Sequence, residues 1–561
     1  MMTSRLLLTL ALAIIGSMGH DPLGFSPSAE YAGERGFKIF NAISSAMRQF
    51  GSAFHHNGMS VFPGVVPEGT LLYHGTRTTE IPKEPEWLAF EIEHAENFAQ
   101  MGGGPPNRNR TRDPRPPYDG DGPQHILTEN HTDLSPPIEW FDEGPAGGWM
   151  PPGGRPPAEG PPGKGPPHGG MPGGGAPGHL HIYQATRPLN ILYIDGTSAG
   201  KTNMGTLDTQ DRLLTNNSKD EDSFFGERSR AKKLCDLGKE IDIDGFIRME
   251  IGFEIIYCNF TNGLHQLSAY QEPARNTTAG YRSSAYHWVR AASQRYFGIT
   301  ASRATLDFSS MVSAFFYPLN LTNPDSKRPD LPRLSQATDD ELSIIREHVK
   351  SAASRSILRS ARIIDWQGVT DLIVSRYADS LALMNVTNSV DVMRSEINNL
   401  LNFHIEYPIK EGVLNAAKEH CTGFYFQSVI PKTAQDHLIK AAIESTTAAI
   451  CTTLFEARRF VVEDADADAD SVQSVQHIVR KLINTLQWTK WMECGRCQAD
   501  EICIIAMWPF GAVEDHYSPG CRPINGFQNR GGYWGTPFPG GRPDEPEKEK
   551  PGSDNKEVGE L

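Results

Sequence analysis

A stretch rich in proline and glycine, residues 101–178, limits what this chain can fold into more than any other feature. Its second part, residues 151–178, is almost entirely Pro, Gly and small or charged residues. Such a composition buries too little apolar surface to offset the entropy lost when the chain becomes ordered. We therefore predict a disordered insertion here. The 561-residue chain must then fold from the segments on either side of it.

The first 19 residues have the features of a secretory signal peptide. Arg5 precedes an apolar run from Leu6 to Ile15, and the small residues Ser17 and Gly19 follow. The run is too short to anchor the chain, and no later segment has about 18 consecutive apolar residues. We expect a secreted, extracellular protein without a membrane span.

Seven Asn-x-Ser/Thr sequons agree with that compartment and predict a glycoprotein. Eight cysteines predict disulfide bonds in the same oxidising environment. Proximity in the sequence favours pairing of Cys235 with Cys258, pairing of Cys421 with Cys451, and two bridges among the last four cysteines. Zinc binding or disulfide exchange at Cys494-Gly-Arg-Cys497 is the alternative, although no second CxxC is present. The sequons are at Asn109, Asn130, Asn216, Asn259, Asn276, Asn320 and Asn385, and the last four cysteines are Cys494, Cys497, Cys503 and Cys521.

The net charge of −15 and the pI near 5.7 argue against nonspecific binding to nucleic acids or to anionic membranes. We expect no specific nucleic-acid partner.

Short apolar runs between about residues 60 and 262 predict a β-rich region that contains the insertion. The patterns indicate strands at 71–73, 86–90, 179–185, 189–195, 241–250 and 253–258. Amphipathic spacing predicts helices at 28–54, 91–98 and 224–238.

The second half has helical periodicity instead. Thr338 and Glu341 form a capping box, and amphipathic patterns follow at 365–384, 389–403, 411–420, 432–460 and 471–491. We divide the chain into a signal peptide, a β-rich domain, an irregular linker, a helical domain, a Cys-rich segment and a disordered tail. Their ranges are 1–19, 28–262, 263–332, 333–491, 492–530 and 531–561.

Two segments are similar to functional motifs but do not match them. The segment from Asp195 to Thr202 is similar to a phosphate-binding loop, but it has one residue too few between its glycines and an acidic residue where the first glycine should be. His179 and His181 share one face of a strand, but no third metal ligand has a useful spacing. We therefore predict neither an ATPase nor a metal site.

Three segments of the β-rich region carry a more specific pattern. Tyr73-His74-Gly75-Thr76 ends an early strand, Glu86 to Ala99 form a strand followed by a helix, and Asp244-Gly245-Phe246-Ile247 precedes Phe253-Glu254-Ile255-Ile256. This order resembles the ADP-ribosyltransferase superfamily, which includes poly(ADP-ribose) polymerases and tRNA 2′-phosphotransferases. The resemblance implies an α+β fold, an ADP-ribosyltransferase-like split β-sheet with a Pro/Gly-rich insertion, followed by the mostly α-helical domain.

The resemblance also implies a reaction. NAD, as substrate, would be cleaved at its nicotinamide–ribose bond, and ADP-ribose would pass to water or to an unknown protein or other acceptor. His74 would bind the adenosine ribose and Glu254 the nicotinamide ribose, where a carboxylate stabilises oxocarbenium charge and accepts a proton. Tyr73, Gly75 and Thr76 would contact the cofactor, with Phe90 or Phe98 stacking on nicotinamide.

Two departures from the family pattern define an alternative. Leu88-Ala89-Phe90 lacks the hydroxyl that the family carries there. Gly252 stands two residues before Glu254, so the Glu-x-Glu pattern of arginine-specific members is missing. The alternative is a non-catalytic secreted glycoprotein that uses a degenerate form of the same fold for binding.

Overall fold

A computed structural model of the protein describes residues 25–100, 178–216, 226–273, 285–295, 303–357, 364–524 and 533–535. The predicted signal peptide, nearly all of the predicted insertion and most of the predicted tail lie outside these residues. So do the sequon asparagines Asn109, Asn130 and Asn276.

Within the described residues the fold is mixed α+β: a curled β-sheet region is followed by a helical region. Ten strands form one sheet with the order β10-β1-β5-β6-β7-β3-β2-β4-β8, and β9 pairs with β1. The strands are β1 (Asn57–Val66), β2 (Leu71–Thr76), β3 (Glu86–Ala89), β4 (His179–Ala185), β5 (Leu189–Gly196), β6 (Gly245–Glu250), β7 (Gly252–Tyr257), β8 (Leu264–Gln271), β9 (Thr305–Leu306) and β10 (Val312–Ser313).

The predicted strand positions agree with this sheet, including the turn at Gly252 between β6 and β7. The stretch 263–332, predicted to be an irregular linker, contributes three strands to it. β8 extends the edge beside β4, while β9 and β10 pair with β1 at the opposite side. β9 and β10 have two residues each, too few for a local pattern, and backbone pairing with the longer β1 defines them. β8 is defined by its pairing with β4 along the edge of the sheet, which sequence periodicity does not show.

The single helix predicted over residues 28–54 is three helices: α1 (Ala29–Glu34), α2 (Gly36–Ser45) and α3 (Gln49–Phe54). Met47 lies between α2 and α3 with φ of 55°, a left-handed conformation that a continuous α-helix does not contain. All three helices bury their apolar faces in the same core, which is why their apolar residues have the spacing of one amphipathic helix in the sequence. Two further helices accompany the sheet, α4 (Ile92–Gln100) and α5 (Glu227–Glu240).

The helical region follows its predicted boundaries within a few residues. Thr338 and Glu341 form the predicted capping box, with mutual hydrogen bonds of 2.8 and 3.3 Å between backbone N–H and side-chain oxygen. The helices are α6 (Asp339–Ile357), α7 (Trp366–Val386), α8 (Val390–Leu401), α9 (Val413–Gly423), α10 (Ala434–Val461) and α11 (Ala469–Leu486), followed by β11 (Glu501–Ile504), α12 (Val513–Tyr517) and β12 (Gly520–Pro523).

The sheet and the helical region do not have separate hydrophobic cores. One continuous cluster of buried apolar side chains runs from Phe40 and Phe62 through the sheet to Trp366 and Leu454 in the helical region. Helix α10 lies at its centre and contacts α1, α2, α9 and α11. The helical region and the sheet therefore share one hydrophobic core.

Helix α10 is the one described helix that is long and apolar enough to cross a membrane. More than half of its most apolar stretch is buried inside the protein. A core helix meets the same criteria of length and composition, so this feature is weak support for a membrane span.

Four disulfide bonds confirm the predicted pairing. Cys235–Cys258 joins α5 to the end of β7, and Cys421–Cys451 joins α9 to α10. The last four cysteines form Cys494–Cys503 and Cys497–Cys521. Each half of the CxxC motif is thus bonded to a different cysteine, which leaves no thiolate there for zinc or for disulfide exchange.

Four of the predicted glycosylation sites lie within the described residues. Asn216, Asn259 and Asn320 are exposed, and Asn385 is half-buried, with its side-chain oxygen accepting a hydrogen bond from Arg480. Their positions suit the predicted modification, which stays a prediction.

Candidate functional site

Four neighbouring strands carry one row of residues across the sheet. Tyr73 on β2 lies opposite Ala89 on β3, and Ala89 lies opposite Glu254 on β7. Glu254 in turn lies opposite Arg248 on β6. Residues directly opposite one another point to the same face of a sheet. Tyr73, Glu254 and Arg248 therefore share one face.

His74 points to the other face, because successive side chains along a strand alternate. Its cross-strand neighbour is His181 on β4, and the two rings lie 5.8 Å apart. The structure therefore does not bring His74 and Glu254 together as two halves of one site. The register between β2, β3 and β7 decides this, and a one-residue shift would reverse it.

The His74 ring is buried and held in one orientation. Its Nδ1 donates to the backbone carbonyl of Trp87 at 2.8 Å, and Phe260 packs beside it. A carbonyl only accepts, so the proton is on Nδ1 and Nε2 carries a lone pair, with no hydrogen-bond partner among the described residues. Burial lowers the pKa of His74 to about 4. The ring is a neutral acceptor at physiological pH.

Glu254 is also buried, and a charged partner holds it. Arg248, with no exposed surface, donates to its carboxylate through two nitrogens, at 2.5 and 3.1 Å. The same guanidinium donates to Glu227, at the start of α5, at 2.6 Å. Burial and the neighbouring Glu250 charge raise the pKa of Glu254, against the opposing effect of Arg248.

Two further residues continue this network. Lys201 lies 3.3 Å from a carboxylate oxygen of Glu250 and 3.7 Å from one of Glu227. Burial would raise the pKa of Glu227, but Arg248 and Lys201 outweigh it and hold the value at about 2. We call the five side chains the charged cluster: Lys201, Glu227, Arg248, Glu250 and Glu254.

His94 on α4 completes one side of the charged cluster. Its Nε2 lies 3.6 Å from Glu250, and ligand atoms of His94, Glu250 and Glu254 lie within 4.8 Å of one another. That spacing could hold a metal ion. The cations that contact these carboxylates are Lys201 and Arg248, however, and they already supply the positive charge that a metal would bring. The residues fit an internal ion-pair network better than a metal site.

Helix α4 packs tightly on this face of the sheet at Gly75. A Cβ added to Gly75 would lie 2.1 Å from the backbone oxygen of Ala95 and 2.6 Å from the backbone nitrogen of Ala99. Only glycine allows this approach. The predicted contact of Gly75 with a nicotinamide is therefore replaced here by the α4 backbone. Thr76 is buried where β2 pairs with β4, and the Phe98 ring packs between His94 and Trp288.

Two of the predicted cofactor residues do line a shared cavity. Tyr73 and Phe90 border a space of about 510 Å³ together with Arg303 and the turn 67–71. The Arg303 guanidinium lies 5.0 Å from the Phe90 ring centroid and donates to Glu91 at 2.6 Å. We call this the tyrosine cavity. His74, Gly75, Thr76, Phe98 and Glu254 do not line it.

The charged cluster leaves little trace in the sequence pattern. Arg248 and Glu250 alternate with apolar residues along β6, which is the usual pattern of a strand with one face in water. Lys201 lies in the segment from Asp195 to Thr202, whose similarity to a phosphate-binding loop does not indicate an ion pair. The signal that could have revealed them is the near-continuous apolar character of β5 and β7 around them, because strands covered on both sides leave alternate polar residues no access to water.

Comparison with known proteins adds relatives but no activity. Residues 34–285 match the family model described as the YPL277C N-terminal domain, a range that contains His74, Glu254 and the charged cluster. The uncharacterized protein YOR389W of Saccharomyces cerevisiae is 25% identical over 559 residues, covering 85% of this chain and 82% of its own. The uncharacterized protein YPL277C of the same yeast is 34% identical over 232 residues, or 40% of each chain. No solved structure matches.

Proposed function

We propose that this protein is a secreted glycoprotein with ADP-ribosyltransferase-like activity, and that NAD occupies the tyrosine cavity. The observation that carries the proposal is that Tyr73 and Phe90, both assigned to the cofactor by the family resemblance, share one cavity with the cation Arg303. Aromatic rings suit nicotinamide or adenine. A guanidinium suits a pyrophosphate, although Arg303 is already engaged with Glu91.

In this proposal Glu254 is the carboxylate that supports the reaction. It shares a sheet face with Tyr73 across Ala89, two strand spacings or about 10 Å away. The bond from ribose C1′ to the nicotinamide nitrogen breaks, and nicotinamide leaves with the bonding electrons. An oxygen of water or of the acceptor then bonds to C1′, and its proton passes to the Glu254 carboxylate. His74, on the opposite face, has no direct part in this step.

The acceptor proposed is not an arginine side chain. Arginine-specific members of the ADP-ribosyltransferase superfamily carry a second glutamate two residues before the catalytic one, where this chain has Gly252. Gly252 has φ of +83°, and a Cβ there would lie 2.7 Å from the Glu91 carboxylate. A glutamate cannot take this place without strain and charge repulsion.

The decisive experiment measures nicotinamide release from NAD by the purified full chain. Glu254→Gln keeps the shape of the side chain and an oxygen for Arg248, and it should lower the release rate about 100-fold or more. Glu240→Gln, at an exposed carboxylate at the end of α5, is the matched control and should keep the wild-type rate. Circular dichroism and urea unfolding verify that both variants fold. Equal rates for Glu254→Gln and wild type would refute the assignment.

Labelled NAD separates the two forms of the activity. Label on a protein acceptor indicates transfer, whereas free ADP-ribose alone indicates hydrolysis. Tyr73→Ala tests the tyrosine cavity itself. It should weaken NAD binding, measured by calorimetry, and leave the ion pair between Glu254 and Arg248 unchanged. Unchanged NAD affinity in Tyr73→Ala would remove the tyrosine cavity from the proposal.

The second candidate is a non-catalytic binding glycoprotein, and the burial of Glu254 favours it. Glu254 is 3% exposed, two nitrogens of Arg248 hold its carboxylate, and α4 packs over Ala89 between it and the tyrosine cavity. A substrate at the cavity reaches Glu254 only if α4 shifts. Folded protein that neither binds NAD in calorimetry nor releases nicotinamide would establish this candidate over the enzyme.

A further inference from the structure

A second cavity, of about 320 Å³, lies on another side of the molecule, where α2, α3, the end of α11 and α12 meet. It shares no lining residue with the tyrosine cavity. No part of the proposed NAD chemistry uses it. We call it the histidine cavity, after His55 and His516 in its wall.

Aromatic rings form much of that wall. Trp488 and Trp491 stack with ring centroids 5.0 Å apart, and Phe54 stacks on His516 at 5.4 Å. Phe40 covers the other side of Trp488 at 5.7 Å. Both faces of Trp488 are therefore occupied by aromatic rings.

Four buried polar atoms of the lining residues have no hydrogen-bond partner among the described residues. They are Trp488 Nε1, His55 Nε2, His516 Nδ1 and Asn57 Oδ1. Trp488 is 2% exposed and His516 is 1% exposed. A buried polar atom without a partner is energetically costly. Four such atoms in residues around one cavity mark a place that is built to meet hydrogen-bonding groups.

The charged lining residues balance one another. Lys38 donates to the backbone oxygen of Asp330 and to the side chain of Gln487. Asp195 accepts from the backbone N–H of Ser60, and burial raises its pKa to about 7. Burial also lowers the pKa of His516 to about 3, so this ring is neutral. No strong excess of either charge selects an ionic ligand.

We propose that the histidine cavity binds a neutral, polyhydroxylated ring compound of the size of one monosaccharide. Its volume lies near the lower end of the usual range for ligand cavities, about 300–1,000 Å³. Hydroxyl groups both donate and accept, as the mixed wall of Lys38, Asn484 and the two histidines requires. A nucleobase suits the site less well, because both faces of Trp488 are already covered.

The test titrates the full chain with D-glucose, D-galactose, D-mannose and N-acetylglucosamine, each followed by calorimetry and by tryptophan fluorescence. At least one sugar should bind with 1:1 stoichiometry and change the fluorescence. Trp488→Phe keeps the stacking but removes the indole N–H, and it should weaken that binding about tenfold. His516→Phe should act in the same direction.

Tyr270→Phe, at an exposed tyrosine on β8 far from the cavity lining, is the matched control and should bind the sugar as wild type does. Urea unfolding confirms that Trp488→Phe and His516→Phe fold. The proposal is overturned if none of the four sugars binds, if adenine binds and they do not, or if Trp488→Phe binds the sugar with wild-type affinity. These results are independent of nicotinamide release, so either proposal can fail alone.

Discussion

The charged cluster and the histidine cavity solve the same problem in opposite ways. Both place ionisable side chains in the interior, where charge is costly. In the charged cluster every charge meets an opposite charge: Arg248 lies between Glu227 and Glu254, and Lys201 meets Glu250. In the histidine cavity the rings of His55 and His516 are kept neutral, and burial lowers the pKa of each to about 3.

The difference bears on function. In the charged cluster the ion pairs already occupy most of the polar atoms, and the cluster resists change because each charge depends on its partner. In a cavity lined by neutral rings, hydrogen-bond donors and acceptors can lack a partner without leaving a buried charge unpaired. The residues with the most perturbed electrostatics are therefore not automatically the ligand site.

We expect the largest effect from removing the central cation of the charged cluster. Arg248→Met leaves Glu227 and Glu254 buried without their partner, and it should lower the free energy of unfolding by about 3–5 kcal/mol. Urea unfolding followed by circular dichroism measures this. Lys239→Ala, which removes the exposed pair with Asp236, is the control and should change stability by less than about 0.5 kcal/mol. A loss below about 1 kcal/mol in Arg248→Met would mean that the cluster is not closed as described.

A smaller effect tests the helix that covers the cluster. Gly75→Ala forces a Cβ against the α4 backbone, and it should cost about 1–3 kcal/mol through overpacking. Gly33→Ala in α1, where a Cβ meets nothing within 4 Å, should be neutral or stabilise by up to about 1 kcal/mol. Thermal unfolding of the two variants side by side gives the comparison. Equal melting temperatures would contradict the close contact of α4 with β2.

The pH dependence sharpens the contrast at the histidine cavity. Burial lowers the pKa of His516 to about 3 in the folded protein, below its ordinary value of 6.5. Between these two pH values only the unfolded chain takes up a proton at His516, so the free energy of unfolding falls as the pH falls. His516→Phe should therefore reduce the slope of unfolding free energy against pH, between pH 6 and pH 4.5, by about 1.4 kcal/mol per pH unit at most.

Urea unfolding at a series of pH values measures that slope. His437→Gln, at an exposed position on α10, serves as the control and should leave it unchanged. Glu227 adds little change between about pH 6 and pH 4.5. Its pKa in the folded protein is about 2, below the ordinary glutamate value of 4.5. The stability that it contributes is therefore lost only as the pH falls below about 4.5 toward pH 2. A slope in His516→Phe equal to that of wild type would show that this ring is accessible to protons in the folded protein.

Local patterns predicted much of the fold. The helices of the second half, the capping box at Thr338 and the strands around Gly252 depend on short-range spacing, which is present in the sequence itself. Two disulfides, Cys235–Cys258 and Cys421–Cys451, were also predictable, because cysteines near each other in the chain tend to pair. The sequence leaves the pairing among the last four cysteines open, because they lie too close together for proximity to choose between the alternatives. The two breaks in the first helix were not, since one of them depends on the left-handed conformation at Met47, which the surrounding packing imposes.

For the candidate site, the amino-acid sequence defines which chemical groups are present: a strand ending in His74, a late strand with Glu254, and the aromatics Tyr73 and Phe90. Which of these groups meet depends on the tertiary fold. Strand register placed His74 and Glu254 on opposite faces and set Arg248 beside Glu254. Strand register and helix packing depend on many contacts between residues that are far apart in the chain. Because side chains alternate between the two faces of a strand, a register shift of one residue moves each side chain to the other face.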